Sequence, residues 1–269
     1  MTRFDEATAV KTTGQGTYEA RLDATWSVGD KLHGGYLMAV LARAALESAA
    51  GPGHPHVTAV SASFAEPPEP GPAEALVEVL RAGRTVTQVR AELAQQGRPR
   101  VAALVTLGLL DDADPRWTSA PAVEMPPEES CFLAPREVPG NAFPVPLMDV
   151  LELRLHPEQV GFVFGEPSLR GRLDTWQRLK DGAAWDPLSL LLALDPVPPA
   201  SYDLGLPGWA PTIQLTAHVL RLPAPGPVKV RLSVTEVGGG RMDETAMVWD
   251  SRDRLVAQAT QLAAIRVPA

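Results

Sequence analysis

Asp195 and Gln261 are polar side chains at places where a folded chain has little structural use for them, and Thr212 adds a hydroxyl at the start of a strand. On the last strand-like run, Gln261 shares its alternating face with Leu255, Ala257, Ala259, Ala263 and Ile265. Its amide is therefore buried among apolar groups and needs partners; bonding nearby backbone is the plain role for such a group. Asp195 closes an apolar helical run just before Pro196, where the helix dipole and desolvation both disfavour a carboxylate. Its plain role is a turn acid. By strict alternation Thr212 shares a face with Gln214, Thr216 and His218, opposite Ile213, Leu215, Ala217 and Val219, as an ordinary threonine on a polar face would. A further feature, His33-Gly34-Gly35, heads another apolar run. Backbone N–H groups at a helix start favour negative charge, and glycines let a substrate oxygen approach them. Metal chemistry is not implied: the five histidines, 33, 54, 56, 156 and 218, are scattered, and His54-Pro55-His56 has no carboxylate at ligand spacing.

The elements that must position these groups occur twice. Arg21-Leu22-Asp23 with Thr25-Trp26 returns as Arg172-Leu173-Asp174-Thr175-Trp176. Pro70-Gly71-Pro72 matches Pro225-Gly226-Pro227, Val57 matches Thr212 and Ala102 matches Ala257, all at an offset of 155. A unit this long is two copies of one α+β fold rather than a solenoid. In the first copy Gly14 to Leu22 opens as a strand or hairpin. Tyr36 to about Ala49 is apolar all round, hence a buried helix closed by Gly51. Strands follow near 56–65, 73–82, 85–95 and 100–110, separated by Pro-Gly and Gly-Arg turns. In the second copy Leu151 to Leu155 and Gly161 to Phe164 read as the opening hairpin, and Asp186-Pro187 starts a helix over Leu188 to Leu194. Pro196 ends it. Strands recur near 212–221, 228–237, 242–249 and 255–266. The organisation expected is a first unit at 1–110, a Pro- and acid-rich connector at 111–146, partly ordered through Trp117, Phe132, Leu133 and Phe143, and a second unit at 147–269 that carries the polar groups.

The copies differ in a way that locates function. Val57 stands for Thr212, Thr106 for Gln261, and about Ala42 or Arg43 for Asp195, while the glycines at the helix head exist only in the first copy. One composite site is expected, not two equal ones.

At 269 residues and 45% apolar content the chain can bury real cores. A formal charge of -8 argues against a nucleic-acid or anionic-membrane surface. The single cysteine, Cys131, excludes an intrachain disulfide and reads as a spectator thiol. With no signal-like start and no apolar run of membrane-spanning length, a cytoplasmic setting is expected.

Leu32-His33-Gly34-Gly35 at the first helix, Thr212-Ile213 opening a strand that ends at Arg221, and Leu255-Val256-Ala257 running on to Gln261 and Ile265-Arg266 together give a chain that resembles the acyl-CoA thioesterase II type, over nearly its whole length. That resemblance implies a double hotdog: two tandem units, each a long antiparallel sheet wrapped around a central apolar helix. It implies that Asp195, Thr212 and Gln261 hold the attacking water, with His33, Gly34 and Gly35 at the substrate. It also implies no cofactor beyond the coenzyme A of the substrate, a role in fatty acid metabolism, and a homodimer or higher oligomer. The loop from Asp195 to Thr212 is shorter than the family leads one to expect. Thioester hydrolysis fits the parts: Asp195 as base or acceptor for water, Thr212 and Gln261 fixing it, backbone N–H groups meeting the carbonyl oxygen. Arg84, Arg178, Lys180 and Arg241 are candidates for contacting coenzyme A, and Met38, Trp185, Trp209 and connector residues for setting pocket size. Two rivals stand beside this reading: a hotdog hydratase or dehydratase, whose signature would be His33 or His218 paired with an acid, and a non-catalytic acyl-CoA-binding protein.

Overall fold

Alternating apolar residues, punctuated by glycine and proline, make most of this chain strand, and a computed structural model describes it over residues 1–49, 51–137, 143–206, 208 and 210–265. Trp209 and Arg266 lie outside the described residues. In chain order the elements are α1 (Arg3–Thr8), β1 (Val10–Gly14), β2 (Thr17–Leu22), β3 (Ser27–Val28), β4 (Lys31–Leu32), α2 (Gly34–Ala49), β5 (His56–Phe64), β6 (Gly71–Ala82), β7 (Val86–Gln95) and β8 (Arg98–Gly108). Then come β9 (Phe132–Leu133), β10 (Leu151–Leu155), β11 (Arg172–Leu179), α3 (Leu190–Ala193), β12 (Thr212–Val219), β13 (Val228–Ser233), β14 (Val237–Gly238), β15 (Arg241–Trp249) and β16 (Leu255–Ala264).

All strands but β3 and β4 join one 14-stranded antiparallel sheet in the order β1-β2-β6-β7-β8-β5-β12-β16-β15-β13-β11-β10-β9, with β14 added beside β15. Its two halves repeat each other in mirror order about the β5–β12 pair, where Gln214 faces Ser63 and His218 faces Ala59. Ser61 and Thr216 share a hydrogen bond of 2.9 Å across that seam. The sheet wraps its concave faces around the helices.

The helix α2 is 16 residues long and buried on every side from Gly35 to Ala42. Its apolar run has no polar stripe to offer solvent, so it can only be a core helix. It starts two residues before Tyr36, because groups outside the helix take its first N–H donors. His33 Nδ1 accepts from the Tyr36 N–H at 3.3 Å, and Asp195 Oδ2 accepts from the Gly35 N–H at 2.8 Å. Full burial of Leu37 and Leu41 stabilises the fold by roughly 1.5–3 kcal/mol each, and truncating Leu41 to alanine would cost about 2–5 kcal/mol.

The second helix is shorter than its sequence suggests. Asp186 does cap the turn, accepting from the Ser189 N–H at 2.7 Å, but regular helix covers only the four residues of α3. The chain then meets Pro196, Pro198 and Pro199, which supply no N–H donors and fix their own φ. α3 lies so close to the start of α2 that a Cβ on Gly35 would fall 2.4 Å from the Leu191 carbonyl oxygen. Glycine is required there by close approach.

Two further expectations are corrected. The partner of β10 is β11, with Leu151 opposite Leu179; Gly161–Phe164 is a 3-10 turn, closed by the Glu166 N–H on the Gly161 carbonyl. The opening repeat also does not superpose: Arg21-Leu22 close β2 opposite Pro72 and Gly71, whereas Arg172-Leu173 open β11 opposite Ser233 and Leu232. The stretch between the two half-sheets is tied to the second one. Leu133 and Phe132 pair with Arg154 and Leu155, and the Trp176 indole donates to the Pro126 carbonyl at 2.9 Å. Trp117 is 79% exposed and anchors nothing.

Candidate active site

A one-turn helix cannot fill the concave face that a 16-residue helix fills in the other half, and the room left over is a cavity of about 1250 Å³. Leu153, Leu155, Leu215, Leu232, Ala246 and Ala259 form its apolar floor, and Phe132, Phe143, Phe162 and Tyr202 stand in its walls. Val28, Lys31 and His33 from the first half line it too, so both copies build one space. Of the residues expected to set its size, Met38 and Trp185 are buried elsewhere, while the stretch before β10 contributes Phe132, Ala134, Pro135, Phe143 and Val145.

Thr212, Gln261 and Asp195 all face this cavity, although strict alternation would turn Thr212 outward. A β-bulge intervenes. Thr212 pairs with Ala263 but Gln214 pairs with Leu262, leaving Ile213 unpaired. The extra residue shifts the phase by one, so Gln214 and His218 stay on the outer face while Thr212 turns inward. Re-aiming a side chain beside a site is a characteristic use of a bulge.

Thr212 and Gln261 belong to a chain of three, and the third member escaped the sequence reading. Thr212 Oγ1 donates to Gln261 Oε1 at 2.9 Å, and Gln261 Nε2 donates to Glu244 Oε2 at 2.6 Å. Glu244 Oε1 accepts from the Ala200 N–H at 2.8 Å. Glu244 is 2% exposed and pairs directly with Gln261 across β15 and β16. Burial pushes its carboxyl up to about 7; the Ala200 and Gln261 donors work against the rise, and the nearby charge of Asp195 adds to it. The signal was present: Met242, Glu244, Ala246 and Val248 form one alternating face, so this acid violates the pattern as Gln261 does.

Asp195 stands at the meeting point of the copies. Its Oδ2 takes the Gly35 N–H and lies 3.3 Å from His33 Nε2, near enough for a charge contact but not aligned as a hydrogen bond. Since His33 Nδ1 accepts from Tyr36, the neutral ring carries its hydrogen on Nε2, facing the acid. Asp195 Oδ1 is bonded to no group among the described residues. The role expected for Gly35 needs correction: its N–H serves Asp195 rather than facing the cavity. Gly34 lines the cavity, and its N–H has no acceptor among the described residues. A Cβ on Gly34 would sit 2.8 Å from Asp195 Oδ2, so a side chain there would displace the acid.

The register also corrects the comparison of copies. Thr106 is on the outer side of β8, where its carbonyl accepts from Thr58. The residue before the bulge in β5 is Val57, and the directly paired residues of β7 and β8 are Val89 and Val105. Three buried valines therefore occupy the places of Thr212, Glu244 and Gln261. The basic candidates are placed elsewhere: Arg178 is paired with Glu128, Lys180 donates to the Met148 carbonyl, and neither they nor Arg84 and Arg241 line the cavity. Lys31 is the lone lysine or arginine among its described lining residues.

Two half-sheets sharing one seam, each curled about a helix, define a double hotdog protein, and comparisons agree. An uncharacterized protein of Mycobacterium tuberculosis is 32% identical over 92% of this chain and 90% of its own length. Among solved structures, a candidate thioesterase II from Thermobifida fusca is 35% identical, covers 99% of this chain and 98% of its own, and has a TM-score of 0.89. A hot dog-fold protein of unknown function from Alicyclobacillus acidocaldarius, 21% identical with full coverage of both chains and a TM-score of 0.85, shares the fold. The model of the acyl-CoA thioesterase N-terminal domain matches residues 22–108 and that of the C-terminal domain residues 118–265. The chain belongs to the acyl-CoA thioesterase family. None of its described helices is long and apolar enough to cross a membrane.

Proposed function

We propose that the cavity hydrolyses an acyl-CoA thioester to a carboxylic acid and free coenzyme A. The observation that carries this is the convergence of a carboxylate with one uncommitted oxygen and a fixed hydroxyl–amide pair on a single large apolar cavity. In this reading a water lies between Asp195 Oδ1 and the Thr212–Gln261 pair. Its oxygen attacks the thioester carbonyl carbon as Asp195 takes its proton, a contribution of about 10² to 10⁴ in rate. Charge developing on the carbonyl oxygen meets the Gly34 N–H at the head of α2, where the helix dipole adds to the attraction. The carbon–sulfur bond then breaks, and the proton held by Asp195 passes to the departing thiolate. The apolar floor takes the acyl group.

Thiol release from a panel of acyl-CoAs, short to long and including branched and aromatic groups, tests this. Turnover on some member, lost by about tenfold or more in well-folded Asp195→Ala and Gln261→Ala, is expected; binding without turnover of any member would favour a non-catalytic carrier.

The His33–Asp195 contact favours one other reading, a hydratase or dehydratase in which the imidazole moves the proton. It predicts water addition to a 2-enoyl-CoA that depends on His33 and ignores Gln261. The Thr212–Gln261–Glu244 chain has no task in that chemistry, which is why hydrolysis is preferred.

A further inference from the structure

Glu244 has no place in the water-holding trio, yet it is the most thoroughly enclosed acid of the cavity. Its carboxylate is an acceptor only, and both oxygens are taken by N–H donors, Ala200 on Oε1 and Gln261 on Oε2. While Glu244 is ionised, that settles which way the Gln261 amide faces. With its nitrogen on Glu244, its oxygen must face Thr212, and the Thr212 hydroxyl must give its hydrogen to that oxygen. The lone pairs of Thr212 are then left for the cavity. If Glu244 carried a proton on Oε2, or were a glutamine, the amide could turn over. Gln261 Oε1 would accept from residue 244, Gln261 Nε2 would donate to Thr212, and the hydroxyl hydrogen would be released toward the cavity. The fold does not ask for an acid here, because Val89 and Val105 hold the corresponding cross-strand pair in the first half.

We propose that Glu244 is a positioning residue that locks the Gln261 amide, so that Thr212 accepts a hydrogen from the attacking water and does not donate one to it. The proposal rests on the hydrolase reading above. A water poised for attack needs its hydrogens directed at acceptors and a lone pair aimed at the carbonyl carbon; a donating threonine would leave one of those hydrogens without its acceptor and draw on one of the oxygen's two lone pairs. The charges acting on Glu244 are Asp195 at the end of α3 and Asp243 beside it on β15, with His33 behind Asp195. Against it from β16 and from the 200–204 turn are the neutral Gln261 amide and the Ala200 N–H. Its titration near neutrality would turn the relay over in the acid range.

Glu244→Gln is the test, on the acyl-CoA that the wild type turns over best. Expected is a fall in kcat of about tenfold or more with KM within about twofold, since an attack geometry is lost and not substrate binding. The wild-type fall in kcat/KM below about pH 7 would be absent from the variant, which stays low throughout. In a Thr212→Val background the same substitution should cost nothing further. An unchanged kcat and pH profile would overturn the proposal. A readout independent of turnover is the Gln261 side-chain amide in a ¹⁵N–¹H spectrum, assigned by its loss in Gln261→Leu. Its two hydrogens should be well separated and move with pH near neutrality in the wild type, and stop moving in Glu244→Gln. Pairs that do not move in wild type overturn the positioning role even if no thioester is hydrolysed; pairs that move without any turnover leave Glu244 in place and sink the hydrolase reading alone.

Discussion

Around the seam the two half-sheets share a register and carry opposite contents. At the bulge and on the adjoining cross-strand pair, the first half puts Val57, Val89 and Val105, and the second puts Thr212, Glu244 and Gln261. The first half closes over a 16-residue helix and the second over one turn. Polar groups in a cavity wall cost desolvation, and a short helix forgoes apolar burial. The first half therefore serves as the filled scaffold, lending the head of α2 and wall residues such as Val28, Lys31 and Phe64, and the second gives up packing for a cavity. A filled core and an open cavity have been divided between copies of one fold.

Making the second half like the first should have the largest effect. The triple change Thr212→Val, Glu244→Val, Gln261→Val is expected to lower thioester hydrolysis by about 10² to 10⁴. Urea unfolding should show stability held or raised, since apolar replacement of a whole buried polar set is often neutral or stabilising. A clear loss of stability would show that the chain also holds the fold.

The next effect depends on pH. Glu244 is raised from 4.5 to about 7, so between those values the folded state binds the proton more tightly than the unfolded one. Its contribution is fully present below about pH 4.5 and is lost as pH rises through about 7. The magnitude is on the order of 3 kcal/mol. The difference in unfolding free energy between wild type and Glu244→Gln should therefore swing against the wild type from pH 4.5 to 7; parallel curves would contradict it.

Gly35→Ala should cost about 1–3 kcal/mol in thermal unfolding through overpacking of α2 against α3, with hydrolysis falling as Asp195 is pushed out of place. Smaller in its effect on activity, Val105→Gln puts an amide at the first half's counterpart of Gln261 without a Glu244 to receive it. The expected loss is about 1–3 kcal/mol of stability with hydrolysis unchanged, and the double variant with Val89→Glu should recover part of it.

Much of this was legible in the chain. Alternation located β5 to β8, β12, β13, β15 and β16 to within a few residues, and the unbroken apolar face of α2 marked it as the central helix. Asp195, Thr212 and Gln261 were singled out, and the structure brings all three to one cavity. What escaped has physical causes. A bulge adds one residue and leaves no compositional mark, so the true direction of Thr212 was hidden. Sequence identity of the Arg-Leu-Asp motifs is not register, because hydrogen-bond pairing is decided by the whole strand, and the same letters end β2 and begin β11. Glu244 was missed although its face was readable, since an acid beside Asp243 looks like part of a solvated pair until the strand's inner side is identified. The contact of His33 with Asp195 spans the two copies, and no spacing along the chain encodes it.

The seam at β5 and β12 has a consequence for how the molecule would survive damage. Backbone pairing from Ala59 to Ser63 makes the halves one sheet whatever happens to the covalent link between them. The stretch after β8 is exposed from Arg116 to Ser119, where a protease could reach it. A nick there would leave two polypeptides but one continuous fabric, with the head of α2 still held against Asp195; on a denaturing gel the protein would run as fragments, while in native solution it would remain a single working particle.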